Sequence, residues 1–330
     1  MSVVVKTSVV KTLRAVVFAG LAVAASFAVA PASAQDMELK IIAPAAPGGG
    51  WDQTARSIQQ VLIAEKLVRN AQVVNVPGAG GTVGLAQFVN GAKGDGHQLL
   101  VNGFVMMGAI LLNKSPVTMA QITPIARITE ETQIMVVPAN SPIKTAKDLA
   151  EAVKKDVAHV TFAGGSAGGV DHIMAALFVG AVGADASKVN YIAFSGGGES
   201  LAAILGGKVT AGISGVSEYE GQIKAGKLRA IGVTSPKRLP EVDVPTFKEQ
   251  GIDLVLTNWR SVFAPPGLND AQKKALGDVV ARMVKTNGWK EVLKAKGWDD
   301  AYLAGDDFAK FLAAEQARVA SVMKTVGLVK

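Results

Sequence analysis

The sequence predicts an α/β fold of two domains with a cleft between them, on three observations. A short β-branched run, a glycine cluster and a helical stretch follow one another four times along the chain, which is typical of strand–loop–helix units in a largely parallel sheet. Two of these units fall in each half of the chain. Without its leader, described below, the chain keeps about 300 residues, enough for two domains that each bury their own core.

The first half of the chain contains the first two units. Strand Leu39–Ala43 leads into the cluster Pro47–Gly50 and then into a helix from about Gln53, where apolar residues recur at helical spacing. Strand Val73–Val76 leads into the cluster Pro77–Gly81 and a shorter helix.

The second half repeats the arrangement. Strand His159–Ala163 leads into the cluster Gly164–Gly169 and a helix, and strand Tyr191–Phe194 leads into the cluster Ser195–Gly198 and another helix. Further strands are predicted at Gln98–Asn102, Ile134–Val137, Val209–Ser214, Arg229–Thr234 and Ser261–Ala264, and further helices near Ala271–Lys285, Trp289–Ala295 and Asp307–Val326.

Two extended, proline-containing segments mark the predicted domain boundaries. Pro138–Pro142 and Asn258–Pro266 have the composition of crossings between domains. Two crossings make one domain discontinuous. We therefore assign residues 35–137 and 261–330 to one domain and residues 138–260 to the other.

The first 34 residues have the features of a cleaved signal peptide. Three basic residues precede the apolar run Ala15–Ala30, and the small residues Ala32 and Ala34 suit signal peptidase. The run is short for a transmembrane anchor of about 20 residues. Because the chain has no cysteine to form a disulfide or carry a lipid, we expect cleavage after Ala34 and a free protein in a bacterial periplasm.

Charge and composition argue against several classes of partner. Removing the three leader cations from the 34 basic residues leaves 31 against 27 acidic residues, a formal charge of +4. This mild, scattered excess suits small anions and is too small for a nucleic-acid surface. Aromatic residues, at 5%, are too scarce for a base-stacking platform. Three isolated histidines and no cysteine form no metal motif, and we expect no metal, no cofactor and no catalytic acid–base pair.

The four glycine clusters follow strands and precede helices, which is the ligand-binding edge of a parallel sheet. There the helix presents unpaired N–H groups with a partial positive charge, and glycine lets a ligand approach the backbone closely. Each cluster alone could be only a tight turn. Four clusters in equivalent positions favour a shared site for an anion.

Three glycine motifs resemble enzyme signatures without meeting their requirements. Gly78–Gly84 has the wrong spacing for a dinucleotide fingerprint, and Gly206–Val209 lacks the hydroxyl residue of a phosphate loop. Gly164–Gly168 places Ser166 where a hydrolase nucleophile would lie. His172 is six residues further on in the same helix and no histidine follows it, so an exported serine hydrolase using Ser166 is the weaker alternative. We interpret Ser166 as a hydroxyl donor to an anion.

Taken in order, these motifs resemble the periplasmic receptors of tripartite tricarboxylate transporters, the Bug family. The segments that carry the resemblance, across nearly the whole mature chain, are Ile42–Arg56, Asn75–Gly81, Ser141–Thr145, Phe162–Gly169, Ala193–Gly198 and Ala264–Gly267.

The resemblance implies a periplasmic-binding-protein-like fold, or Venus flytrap, and a non-enzymatic monomer that closes on a small carboxylate and delivers it to a membrane permease. A receptor that reports to a membrane sensor kinase is the alternative. The Trp51-Asp52-Gln53 triplet resembles the tricarboxylate branch and favours a citrate-like ligand. The ligand contacts implied by the resemblance are Pro47, Gly48, Gly49, Gly50, Trp51, Asp52, Gln53, Thr54, Gly78, Ala79, Gly80, Gly81, Gly165, Ser166, Ala167, Gly168, Phe194, Ser195, Gly196 and Gly197.

The residues themselves qualify this set. Asp52 is expected to N-cap the following helix, because its carboxylate would repel an anion. Trp51 either walls the pocket or packs between the loop and its domain. The glycine loops contain no cation, so Arg56, Arg127 and Arg260 are the nearest candidates to neutralise a carboxylate.

Overall fold

The computed structural model describes residue 1 and residues 37–194, 197–239 and 242–330. The apolar run of the predicted leader and the predicted cleavage site after Ala34 lie outside the described residues, as do Ser195 and Gly196 of the fourth glycine cluster. Within the described ranges, no helix has both the length and the apolar character needed to span a bilayer.

Ten strands in the described part of the chain form one mixed sheet. They are β1 (Glu38–Ala43), β2 (Asn70–Asn75), β3 (Gln98–Gly103), β4 (Thr123–Pro138), β5 (Thr161–Gly164), β6 (Asn190–Ala193), β7 (Ala211–Gly215), β8 (Leu228–Val233), β9 (Thr257–Ala264) and β10 (Asp299–Ala304). Their order across the sheet is β2-β1-β3-β9-β4-β7-β5-β6, and β8 and β10 also pair with β4.

Ten α-helices cover this sheet in the same described ranges. They are α1 (Gly50–Ala64), α2 (Thr82–Gly91), α3 (Phe104–Leu112), α4 (Ala146–Lys155), α5 (Val170–Ala181), α6 (Gly197–Leu205), α7 (Val216–Lys224), α8 (Asp270–Met283), α9 (Asn287–Lys296) and α10 (Gly305–Thr325). The first glycine cluster thus leads into a helix that begins at Gly50, three residues before the predicted start at Gln53.

Two groups of parallel strands approach the middle of β4 from opposite directions. β1 pairs in parallel with β2 and β3, and β5 with β6 and β7. Through antiparallel β9, Gly103 at the end of β3 lies level with Thr129 of β4. Gly215, the last residue of antiparallel β7, lies level with Gln133 of β4. The carboxyl ends of both groups therefore meet at the same short stretch of β4, where a ligand-binding edge is expected.

The antiparallel centre corrects one prediction. The expected largely parallel sheet is mixed, because the chain passes from one half to the other through β4 and returns through β9. The predicted crossing Asn258–Pro266 begins within β9, a strand that is almost entirely buried in the sheet, and its role as a domain boundary stays a prediction. Between the predicted helices Trp289–Ala295 and Asp307–Val326 the structure also has β10, whose sequence Asp299–Ala304 has no β-branched residue to indicate a strand.

The hydrophobic cores follow the two halves of the sheet. One core contains the buried face of α1, formed by Ile58, Val61 and Leu62 as the helical spacing predicts. The other half packs its apolar residues into two neighbouring clusters around β5, β7 and β8. Helix α10 contacts both halves, because Phe308 packs in the first core and Val319 in the second. The predicted division of the chain into two domains stays a prediction.

Candidate ligand-binding cavity

A cavity of about 280 Å³ lies where the two groups of strands end. Loops and helix starts from both halves form its walls, and β4 and β9 contribute side chains to its floor. The residues that line it are Pro44, Ala45, Gly49, Gly50, Trp51, Pro77, Gly78, Ala79, Gly80, Gly81, Val105, Asn113, Glu131, Gln133, Gly165, Ser166, Ala167, Val170, Asp171, Ala193, Phe194, Ser214, Gly215, Glu218, Asn258 and Arg260.

The start of α1 forms one wall. Gly49 is the N-cap and has no side chain to occupy the first N–H groups of the helix. No described residue accepts a hydrogen bond from the backbone N–H of Gly50 or Trp51. A Cβ added at Gly50 would lie 2.6 Å from Nη2 of Arg260, so a glycine at this position lets the guanidinium reach the start of the helix.

The second glycine cluster packs against this wall. Residues Ala79–Gly81 form a short 3₁₀ turn ahead of α2. Gly81 has a φ of +91°, and a Cβ there would lie 2.5 Å from Cζ3 of Trp51. Trp51 lines the cavity and is only 7% exposed, so it both walls the pocket and packs against the neighbouring loop.

The third cluster faces these two from the other half. Gly165, Ser166 and Ala167 lie between β5 and α5 and line the cavity. Asp171, in the first turn of α5, accepts a hydrogen bond of 2.7 Å from the N–H of Gly165, and the hydroxyl of Tyr191 donates to the Gly165 carbonyl at 2.8 Å. Hydrogen bonds at both the N–H and the carbonyl oxygen of Gly165 therefore hold the loop in place.

Two further strand ends complete this half. Ala193 and Phe194 line the cavity after β6. Ser214 and Gly215 end β7, and Gly215 is the N-cap of α7. This last helix start was missed by sequence reasoning because it carries a single glycine instead of a cluster.

A buried ion pair lies in the floor of the cavity. Arg260 of β9 donates from Nη2 to Oε1 of Glu131 of β4, and the two side chains are 3% and 2% exposed. Asn258 donates to the same Oε1 at 3.2 Å, and the guanidinium lies 4.8 Å from the ring centre of Trp298. A Cβ at Gly215 would lie within 2.6 Å of the Glu131 carboxylate, so the glycine leaves room for the pair.

Several buried polar atoms of the floor have no hydrogen-bond partner among the described residues. They are both amide atoms of Gln133, Oδ1 of Asn258, Nη1 of Arg260 and Oε2 of Glu131. Buried polar groups are normally paired, and an unpaired one costs about 1–3 kcal/mol. Donors and acceptors are thus available on the floor for a ligand or for water.

The floor carries more acid than base. Of the described residues that line the cavity, Glu131, Asp171 and Glu218 are acidic and Arg260 is basic. Burial raises the pKa of Asp171 to about 8, against the opposing hydrogen bond from the N–H of Gly165. Burial and the nearby Glu131 also raise the pKa of Glu218, whose Oε2 accepts from Ser214 at 2.6 Å. At neutral pH Asp171 is therefore mostly an uncharged acid that can donate a hydrogen bond.

The structure brings together eleven of the sequence-predicted contacts, namely Gly49, Gly50, Trp51, Gly78, Ala79, Gly80, Gly81, Gly165, Ser166, Ala167 and Phe194. Pro47, Gly48, Asp52, Gln53, Thr54 and Gly168 do not line the cavity. Gly197 is the first residue of α6. Ser195 and Gly196 lie outside the described residues.

Asp52 supports the first loop from inside the helix. Since α1 begins at Gly50, the predicted N-cap role of Asp52 is wrong, and the residue lies in the first turn. Its carboxylate accepts from the N–H of Gly48 at 2.8 Å, from Arg56 at 3.0 Å and from Asn75 at 2.8 Å. It therefore ties the first glycine loop to the end of β2.

The other two predicted arginines lie away from the cavity lining. Arg56 is occupied by Asp52 and Asn75. Arg127 donates to the carbonyl of Ala301 at 2.8 Å and lies 4.4 Å from the ring centre of Phe311. Arg260 is the cation that the fold brings to the floor.

The charged and amide side chains of the floor that sequence reasoning missed come from β4, α5, α7 and β9. Glu131 and Gln133 belong to the polar run Thr129–Gln133 in the middle of β4, and this interruption of the apolar pattern was the available signal. Asp171 and Glu218 lie in the first turns of helices, where acids are common for reasons unrelated to a ligand. Their convergence depends on strand pairings that no local pattern specifies.

His172 has a packing role. Its ring stacks on Tyr191 with 4.3 Å between ring centres, and its Nδ1 accepts from the N–H of Gly168 at 3.1 Å. Burial lowers the pKa of His172 to about 4. An imidazole held in this way is not a base for Ser166. Among the described residues, no group of three or more His, Asp or Glu side chains could hold a metal ion.

Known proteins share this architecture. The family model described as tripartite tricarboxylate transporter family receptor matches residues 54–328. Protein BugT of Bordetella pertussis is 26% identical to this chain, over 93% of the chain and 96% of BugT.

Solved structures agree. The periplasmic binding protein BugD is 25% identical with a TM-score of 0.79, over 89% of this chain and 99% of BugD. MatC from Rhodopseudomonas palustris, solved with bound malate, is 25% identical with a TM-score of 0.75, over 87% of this chain and 98% of MatC. These likenesses confirm the predicted binding-protein fold. The family and these neighbours are solute-binding receptors and not enzymes, which argues against the serine hydrolase alternative.

Proposed function

This chain belongs to the receptor family of tripartite tricarboxylate transporters, and we propose that its cavity binds a small organic carboxylate for delivery to the membrane permease of such a transporter. Members of the family are periplasmic solute-binding receptors. Cleavage of the leader after Ala34, release of the mature protein into the periplasm and action as a monomer are parts of the same proposal.

One observation carries the proposal: helix starts from both halves of the sheet converge on one cavity. The starts of α1, α2, α5 and α7 all contribute lining residues, and each presents backbone N–H groups with a partial positive charge. Arg260 adds a guanidinium with an unpartnered Nη1. Carboxylates are the common biological anions that such a set of donors suits.

The cavity limits the size of the ligand. Its volume of about 280 Å³ is just below the usual range of small-molecule sites, about 300–1,000 Å³. A small metabolite with two or three carboxylates suits a cavity of this size, and MatC was solved with malate. A citrate-like ligand is the tricarboxylate candidate, although of the Trp51-Asp52-Gln53 triplet that suggested it only Trp51 lines the cavity.

Ligand contacts on both halves give closure a physical basis. A ligand held between the loops of residues 35–137 with 261–330 and the loops of residues 138–260 stabilises whichever arrangement lets it touch both sets. The closed surface is then the signal that the permease recognises.

Thermal unfolding with a panel of malate, adipate, citrate and glutamate tests the proposal. We expect at least one carboxylate to raise the melting temperature, since a ligand that binds the native state stabilises it. Ala167 and Ala181 provide matched variants, because both are exposed alanines of the third unit and only Ala167 lines the cavity. Ala167→Trp should abolish the shift and Ala181→Trp should retain it. The proposal fails if the panel leaves the wild-type melting temperature unchanged.

A further inference from the structure

The floor of the cavity lacks the cations that an anion-binding site would ordinarily use. Arg260 is already engaged by Glu131, so the pair contributes little net charge. Asp171 and Glu218 remain, and both line the cavity. If both were ionised, the floor would repel the second carboxylate of a ligand whose first carboxylate is bound at the helix starts.

The position of Asp171 shows how this conflict is resolved. Asp171 is 8% exposed, and its Oδ2 is fixed by the N–H of Gly165, on the loop that also presents Ser166. A carboxyl group held there in its acid form presents an O–H to the cavity. Acid-to-carboxylate hydrogen bonds are among the stronger ones in proteins.

The unpartnered side chains nearby indicate that something polar occupies this part of the cavity. Gln133 is fully buried with neither amide atom paired among the described residues, and Nη1 of Arg260 is likewise unpaired. Together with an acid O–H of Asp171, these groups provide several donors on the floor. Such donors suit a carboxylate.

We propose that the floor formed by Asp171, Gln133 and Arg260 is the subsite for the second carboxylate of the ligand, and that Asp171 binds it as a proton donor. The inference rests on the proposed function, because it assigns a binding position to the second carboxylate of the same ligand. Binding of the anion then holds one proton on Asp171, and the ligand enters the cavity with that proton when the medium is alkaline.

The charged and titratable groups around Asp171 come from five elements of the fold. They are Glu218 and Tyr219 of α7, Glu131 of β4, Arg260 of β9, Tyr191 of β6 and His172 beside it on α5. The two glutamates favour the acid form of Asp171 and Arg260 opposes it. The pKa of His172 is too low and those of Tyr191 and Tyr219 too high for these groups to titrate near pH 8.

The pH dependence follows from the pKa of about 8 for the free protein. Below that pH Asp171 already carries its proton, so the dissociation constant should be flat and proton uptake close to none at about pH 6.5. Above it the proton must be acquired on binding. The dissociation constant should then rise about tenfold per pH unit, with uptake of about one proton at pH 9.

Isothermal titration calorimetry on the full mature chain tests this, with malate and adipate as probes in two buffers of different ionisation enthalpy at each pH. Asp171→Asn keeps an uncharged side chain that can still accept from the N–H of Gly165, so its dissociation constant should vary less than about twofold between pH 6.5 and 9. Asp185→Asn is the matched control, since Asp185 is exposed and is not part of the cavity lining. It should keep the wild-type pH dependence.

The outcomes separate this inference from the proposed function. Binding with a flat dissociation constant and no proton uptake overturns the proton-donor role while leaving the receptor function intact. An unchanged pH dependence in Asp171→Asn overturns the assignment to Asp171. If Asp171→Asn fails to fold, the proton count of the wild-type protein decides the question by itself. Absence of binding by the whole carboxylate panel at every pH overturns both.

Discussion

Arg260 and Glu131 form an ion pair in the floor of the cavity, and their contributions to the free energy of unfolding should be strongly coupled. Removal of one partner leaves the other as an uncompensated buried charge, which costs about 3–5 kcal/mol. We therefore expect Arg260→Met and Glu131→Gln each to lose about that much free energy of unfolding without ligand. The double variant removes both charges, so its loss should be smaller than the sum by at least about 2 kcal/mol. A residual loss of about 1 kcal/mol should remain from the contact between the guanidinium and Trp298.

Urea unfolding of the four proteins measures this coupling. An exposed pair provides the control: Arg69 and Glu38 are 2.7 Å apart and their side chains are 63% and 57% exposed. The cycle of Arg69→Met and Glu38→Gln should give a coupling below about 1 kcal/mol. If the losses at Arg260 and Glu131 simply add, the two residues do not act as a buried pair and the description of the floor is wrong.

Four further predictions concern the loops, one helix and the leader. Gly81→Ala places a Cβ against Trp51 at positive φ, so calorimetry should show ligand affinity reduced about tenfold or more, whereas Gly183→Ala, with a φ of +85° in open space, should lose stability alone. Thr145→Ala removes the N-cap hydrogen bond of α4, and urea unfolding should show a loss of about 1 kcal/mol with ligand binding intact. Burial opposes ionisation of Asp52, yet hydrogen bonds from Arg56, Gly48 and Asn75 lower its pKa below 3.8, so the stability that it contributes is present above that pH and fades as pH falls. The stability gap between wild type and Asp52→Asn should therefore close in acid unfolding curves. Intact mass of the exported protein should correspond to a chain that starts at Gln35.

The fold could be predicted from the sequence wherever a pattern was local. Each predicted strand is present, because β-branched runs bounded by glycine and proline depend on neighbours in sequence. The lengths of β4 and β9 could not be predicted in the same way. Polar residues such as Glu131 and Asn258 lie inside these strands, although polar residues ordinarily indicate a strand end, and only the pairing of β4 with β9 explains why the strands continue through them.

In the candidate site, too, the residues that could be predicted are those that a local sequence pattern indicates. Glycine loops were found because a turn that must approach a ligand needs glycine at that position, whatever the rest of the chain does. The floor was not found, because its side chains come from β4, α5, α7 and β9 and meet only after the strands have paired. Of three arginines equally plausible by sequence, the fold uses Arg56 and Arg127 to support loops and strands and brings only Arg260 to the cavity lining.

This distribution of charge changes the expectation about how an anion is recognised. A citrate-like ligand was expected to require several cationic side chains, and the described lining offers one, which is already paired. Backbone N–H groups and neutral side-chain donors can bind carboxylates without a fixed positive charge, provided that nearby acids stay protonated. Such a site discriminates between ligands by the positions of its hydrogen-bond donors and by the number of charges that each ligand carries. Above about pH 8 a ligand whose second carboxylate binds Asp171 must bring a proton with it, whereas at lower pH the proton is already in place, so the preference between ligands with one carboxylate and ligands with two should itself shift with pH.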